Sequence, residues 1–176
     1  MRKLLNEELG RLDIAEFQEA EKIPLILILD SVRSHLNVGS VFRTADAFRI
    51  EKIYLCGITG TPPHRDIQKT ALGATETVAW EYRENILQLV DELKAQNVFI
   101  ASIEQAEKST YLHRFSIPEN QKLAVIFGNE VEGVSQDVVS ASNVVIEIPQ
   151  FGTKHSLNIS VSAGMVVWEL AKQYLF

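Results

Sequence analysis

The feature that most limits the fold is a set of short segments that stay apolar without alternating. LILILD, residues 25–30, is apolar for five positions and stops on an acid. Such a run is too short for a stable helix, and a strand exposed on one face would alternate polar with apolar residues. It therefore reads as a strand buried on both faces, the mark of a parallel sheet. KIYLCGI (52–58), VFIASIE (98–104), LAVIFG (123–128) and VVIEIP (144–149) share this character, and TVAWEY (77–82) adds a further strand. Between them lie helical stretches, NVGSVFRTADAF (37–48), IQKTALGA (67–74) and ENILQLVDELKAQN (84–97), the last with Ile86, Leu89, Val90 and Leu93 on one face. Strands that alternate with helices specify an α/β domain with a mostly parallel sheet flanked by helices.

At the start, Leu4, Leu5, Leu9, Leu12 and Phe17 recur at roughly helical spacing among charges, which predicts an amphipathic helix over residues 2–20. Pro24 interrupts it. Residues 1–22 are thus expected as a helical extension and 23–176 as one domain, in keeping with a length of 176 residues. The stretch 108–121 reads as irregular surface. At the end, Leu157, Val161, Gly164, Trp168, Ala171 and Leu175 step by three and four and predict a helix with that stripe as its packed face.

The net charge of −6 argues against a broad basic field for nucleic acid, so any such contact must be local. Candidate cations are Arg2, Lys3, Arg11, Arg33, Arg43, Arg49, His64, Arg65, Lys69, Lys154 and His155. Cys56 is the one cysteine and sits in an apolar run, which excludes an internal disulfide or a thiolate zinc site and predicts a buried, inert thiol. No apolar stretch approaches the roughly 20 residues that span a bilayer, and the first residues lack the apolar centre of a signal peptide, so a cytoplasmic protein with no membrane contact is expected.

In open α/β sheets, ligands bind beyond the carboxyl ends of the strands. Three polar, glycine-bearing loops fall there: residues 30–46, 128–135 and 149–160. None carries GxGxxG or GxxxxGK[ST], so the usual dinucleotide and phosphate cradles are unsupported. HExxH and GxSxG are also absent, and His35, His64, His113 and His155 lack ligand spacing, so no metal is expected.

Taken together, the three loops resemble the SpoU (TrmH) branch of the SPOUT superfamily, RNA ribose 2'-O-methyltransferases that use S-adenosylmethionine. The first motif is similar in Asn37, Gly39, Arg43, Thr44 and Ala45, and the second in Gly128, Glu130, Gly133 and Ser135. The third is similar in Ile148, Pro149, Gly152, Ser156, Leu157, Asn158 and Ser160. Gln150 and Val134 depart mildly from it, standing where methionine and leucine are common. The resemblance implies a deep trefoil knot in the C-terminal part, a homodimer with the active site near its interface, and tRNA or rRNA as substrate, with tRNA slightly preferred. A knotted RNA- or protein-binding dimer without catalysis, or a methyltransferase with a non-RNA substrate, are the alternatives.

It also implies roles. Arg43, Asn37, Glu130, Ser156 and Asn158 would form the catalytic set, and Gly128, Asn129, Gly133, Ile148, Gly152, Ser156 and Leu157 would hold the cofactor. Arg43 is the expected catalytic arginine; because a guanidinium stays protonated below about pH 12, phosphate binding and alkoxide stabilisation suit it better than proton abstraction. Pairing with Asp46 is its alternative. Asn37 is expected as a helix cap that also supports the arginine and the ribose, Glu130 as the group orienting Arg43, and Ser156 as the cap of the last helix, with Asn158 facing the cavity. Lys154 and His155 would lie on its rim.

Overall fold

The computed structural model describes residues 1–176, the side chain of Asn6 excepted. Its elements in chain order are α1 (Ile14–Glu19), β1 (Ile23–Asp30), α2 (His35–Ala47), β2 (Ile50–Cys56), α3 (Arg65–Ala71), α4 (Ala74–Thr77) and β3 (Trp80–Arg83). There follow α5 (Ile86–Ala95), β4 (Val98–Ile103), β5 (Thr110–Tyr111), β6 (Lys122–Phe127), α6 (Gln136–Ala141), β7 (Val144–Glu147) and α7 (Ile159–Leu175). The strands form one sheet in the order β3-β2-β1-β6-β4-β7-β5, parallel at every pairing. No helix is long and apolar enough to cross a membrane among the described residues.

The unbroken apolar runs have the expected cause. In β1, Leu25, Leu27 and Leu29 belong to the core that includes Val38, Val41 and Phe42 of α2 and Val166, Val167 and Leu170 of α7. Ile26 and Ile28 point the other way, into a core with Leu89, Val90 and Leu93 of α5 and Val138 of α6. Each fully buried leucine or isoleucine contributes about 1.5–3 kcal/mol, so a polar residue at any of these five positions would cost on that order. Cys56 is buried with them, and burial pushes its thiol up to about 12, an inert group as the sequence predicts.

Gly39 has a packing reason. A Cβ there would stand 2.2 Å from both Ile67 O and Thr70 Oγ1, so its absence lets α2 press against α3. Thr70 Oγ1 then donates to Leu36 O at 2.9 Å.

Four expectations are corrected. The N-terminal helix is not continuous: a 3-10 turn at Asn6–Leu9 ends at Gly10, whose left-handed φ of 57° breaks the path, and α1 restarts only after Asp13 accepts from Glu16 N. Leu4, Leu5, Leu9 and Leu12 are consequently exposed, and Phe17 alone of that stripe is buried. The stretch 108–121 is not wholly irregular, since Thr110–Tyr111 pairs with β7. On α7 the buried face is Ile159, Ala163, Val166, Val167, Leu170 and Ala171, whereas Val161, Trp168 and Leu175 of the predicted stripe are exposed. Two apolar stripes share this helix, and spacing does not distinguish them. The helix caps also differ: Ser34, not Asn37, caps α2, and Asn158, not Ser156, caps α7 by accepting from Ser160 N at 2.9 Å.

Candidate active site

Beyond the carboxyl ends of β4, β6 and β7 opens a cleft of about 520 Å³. Gly128, Asn129, Glu130 and Gly133 line it from the loop after β6, and Ile148, Ser156, Leu157 and Asn158 from the segment before α7. These are cofactor and catalytic candidates of the second and third loops. Gly152 does not line the cleft, and a Cβ on it would meet nothing within 4 Å. His155 reaches the cleft, while Lys154 is exposed away from its lining.

The second loop folds back on itself. Asn129 and Gly133 exchange backbone hydrogen bonds at 3.0 and 3.2 Å, and the Asn129 side-chain oxygen accepts from Val131 N and Glu132 N, both at 2.9 Å. This Asx-type arrangement fixes the tip locally. A Cβ on Gly128 would lie 2.0 Å from Gly133 C and 2.3 Å from Val134 N, so only glycine lets the two limbs meet. Gly133 itself has φ +68°, a left-handed backbone that favours glycine.

Side chains join the three loops. Asn37 Nδ2 donates to Glu130 Oε1 at 3.2 Å, and Asn158 Nδ2 donates to Asn37 Oδ1 at 3.2 Å. Asn158 Oδ1 in turn accepts from Ser160 N and from Ser160 Oγ, the latter at 2.6 Å. Glu130 also accepts from Arg33 N at 3.1 Å and Ser34 N at 3.2 Å. Although its side chain is exposed, desolvation by the loops beside it would on its own raise its carboxyl pKa, but these backbone and asparagine donors outweigh that and leave it below the usual glutamate range. Glu130 is therefore an anion that closes the first loop onto the second, not the partner of Arg43 that was expected.

Arg43 lies further along α2, exposed and outside the cleft lining. Among the described residues it forms no ion pair, and Asp46 instead accepts from Thr77 Oγ1 at 2.5 Å. Its guanidinium is free for an anion. Among the cleft residues that escaped the sequence reading are Glu104 and Gln105, which follow β4 directly. Their one sequence signal is an acid and an amide at a strand's carboxyl end, which no motif marks. Among the described residues, no group of three or more histidines, cysteines or carboxylates could hold a metal.

The fold and the site define a parallel α/β protein with a cleft walled by the segments after β4, β6 and β7; Asn37 of the first loop does not line it but is joined to it through Glu130 and Asn158. The chain belongs to the SpoU rRNA methylase family, whose model matches residues 24–168. It is 33% identical over 150 residues to the 23S rRNA (guanosine-2'-O-)-methyltransferase RlmB of Neisseria meningitidis serogroup B, a match covering 85% of this chain and 59% of that protein. The chain thus spans less than two thirds of that relative's length. With RlmB of Vibrio parahaemolyticus it shares 29% identity over 174 residues, covering 98% of this chain and 67% of the other. Among solved structures, the A. aeolicus TrmH/SpoU tRNA modifying enzyme superposes with a TM-score of 0.82 at 25% identity, covering 92% of this chain and 81% of that one.

Proposed function

We infer that the protein is an RNA ribose 2'-O-methyltransferase that uses S-adenosylmethionine. The observation that carries this reading is the hydrogen-bonded series Glu130–Asn37–Asn158, which ties the three motif loops together at a glycine-built cleft. A structure of an rRNA methyltransferase from Sinorhizobium meliloti with AdoMet bound shares the fold, with a TM-score of 0.81 at 23% identity. The cleft fits such a cofactor: about 520 Å³ suits a nucleoside-sized ligand, and the glycines keep backbone amides and carbonyls at its wall.

When bound, S-adenosylmethionine supplies a methyl group already activated on a sulfonium. The chain's own task is then to place a ribose hydroxyl in line with that carbon and to exclude water. Asn37 and Asn158 are held by each other and by Glu130, so their remaining polar edges are preorganised toward a ribose. Arg43, charged and unpaired, binds a neighbouring phosphate and stabilises the oxygen as it becomes anionic, and the proton passes to a neighbour or to water.

Transfer RNA is slightly preferred as acceptor over ribosomal RNA, a preference supported by the likeness to the A. aeolicus tRNA modifying enzyme; the RlmB relatives, which are named for 23S rRNA, support the other acceptor. The reading includes the knotted C-terminal threading, a cytoplasmic setting and a homodimer. The dimer is supported by the second apolar stripe of α7, where Met165 and Trp168 are 43% and 52% exposed, and by Phe176 just after the helix, 95% exposed. The test is incubation with methyl-labelled S-adenosylmethionine and total RNA, followed by mapping of 2'-O-methylated positions. Label at a defined ribose is expected. Cofactor binding without label in RNA would point to a non-RNA substrate, and failure to bind the cofactor would point to a binding protein without catalysis.

A further inference from the structure

We propose that Glu104 is the positioning residue that shapes the donor cleft, with Gln105 as its partner on the opposite wall. Glu104 follows β4, is half-buried, and uses both oxygens on backbone amides. Its Oε2 accepts from Val134 N at 3.0 Å, and its Oε1 accepts from Gln105 N at 2.8 Å. The first bond reaches the returning limb of the second loop, 30 residues away, at the point where that limb crosses Gly128.

The layering leaves no slack. A Cβ on Gly133 would stand 2.0 Å from Glu104 Oε2, and a Cβ on Gly128 would stand 2.0 Å from Gly133 C. Carboxylate, Gly133 and Gly128 are thus stacked in contact, each of the two glycines being the residue that admits the layer beneath. Gln105 completes the frame: its Nε2 donates to His155 O at 2.7 Å and ties the third loop to the same strand end. The end of β4 therefore sets the spacing between the two loops that wall the cleft, although it belongs to none of the three motifs. A carboxylate suits the place because it accepts from two amides at once; a carboxamide offers one oxygen, and alanine none.

This inference rests on the reading that the cleft takes S-adenosylmethionine, and it holds whichever RNA is the acceptor. Titration calorimetry with S-adenosylhomocysteine, the stable product form, tests it on the full chain. Glu104→Ala leaves the Val134 amide without its partner and is expected to weaken binding by about tenfold or more; Glu104→Gln is expected to fall between it and the parent protein. Gln105→Ala, which leaves the Glu104 carboxylate in place, is expected to weaken binding by about threefold to tenfold. Thermal unfolding of each variant separates loss of the cleft from loss of the fold.

A second readout tests the stacking itself. Gly133→Ala is expected to weaken binding strongly in the parent chain and by a clearly smaller factor in the Glu104→Ala background, where the colliding oxygen is gone. Folded Glu104→Gln and Gln105→Ala proteins that bind as tightly as the parent would overturn the proposal, as would a Gly133→Ala factor equal in both backgrounds. A parent protein that takes no S-adenosylhomocysteine would instead overturn the cofactor reading, and this inference with it.

Discussion

Asn37→Asp changes one nitrogen to oxygen and keeps the shape of the side chain, yet it should damage the site more than Asn37→Ala. In the parent protein the Asn37 amide donates to the Glu130 carboxylate at 3.2 Å. Losing a hydrogen bond to a charged acceptor costs about 1.5 kcal/mol in a buried setting and about 1 here, because Glu130 is exposed. Aspartate then adds a like charge at the same separation. At 3.2 Å two unit charges repel by about 1.3 kcal/mol in water and about 5 kcal/mol at an effective dielectric near 20, and exposure favours the lower figure. The two terms add to about 2 to 3 kcal/mol. In a domain of this size each kcal/mol shifts the unfolding midpoint by about 2 to 4 °C, so Asn37→Asp, which keeps the oxygen that accepts from Asn158, should melt about 4 to 12 °C below the parent at neutral pH, and Asn37→Ala, which also loses that bond at about 0.5 to 1 kcal/mol, about 3 to 8 °C below.

The pH dependence carries the sharper signature. In the parent, Glu130 titrates below its unfolded value, so its contribution is present above the ordinary glutamate range and is lost as pH falls through the lowered folded value. With the introduced aspartate beside Glu130, the first proton taken up by the carboxylate pair binds above the unfolded value. The variant's deficit should therefore be largest at neutral pH and shrink as acid is added through that raised value. Circular dichroism melts of the three proteins at about pH 7.5 and about pH 5 make the comparison. Equal midpoints for the two variants at both pH values, or an aspartate variant as stable as the parent, would refute the bridge between the first and second loops.

The remaining predictions concern other parts of the site. Gly128→Ala places a Cβ about 2.0 Å from the Gly133 backbone and should abolish S-adenosylhomocysteine binding by calorimetry while the circular dichroism spectrum stays α/β. Asn158→Ala removes the cap of α7 and should lower the melting midpoint by about 2 to 4 °C, whereas Ser156→Ala should leave it unchanged. Arg43→Ala should abolish methyl transfer to RNA with cofactor affinity retained, read by labelling and calorimetry on the same preparation. Trp168→Glu on the exposed stripe of α7 should convert the proposed homodimer to a monomer in sedimentation velocity.

The sheet was legible because burial on both faces removes polar residues from a strand, and LILILD shows that directly. Strand order was not, since β6 inserts between β1 and β4 by contacts that no local pattern records. The broken N-terminal helix illustrates another limit. Leu4, Leu5, Leu9 and Leu12 keep helical spacing, but a glycine with positive φ and an acid that caps the next turn overrule it locally. On α7, spacing reports apolar residues and not what covers them, so it points to the stripe through Trp168 although the core lies on Ala163, Val167 and Leu170.

At the site the motif positions were legible and their tasks were not, for a definite physical reason. A capping side chain and a ligand-facing one are both short and polar, and they sit within a turn of each other at a helix start. Ser34 caps α2, which leaves the Asn37 side chain three residues on to bridge Glu130 and Asn158. At α7 the assignment reverses: Asn158 caps with its oxygen and bridges with its nitrogen, while Ser156, two residues earlier, lines the cleft. An asparagine serves both needs because its amide carries an acceptor and a donor on opposite edges, which serine's single oxygen does not. Asn158→Ser would therefore keep a cap, lose the reach to Asn37, and separate the helix's stability from the joining of the loops.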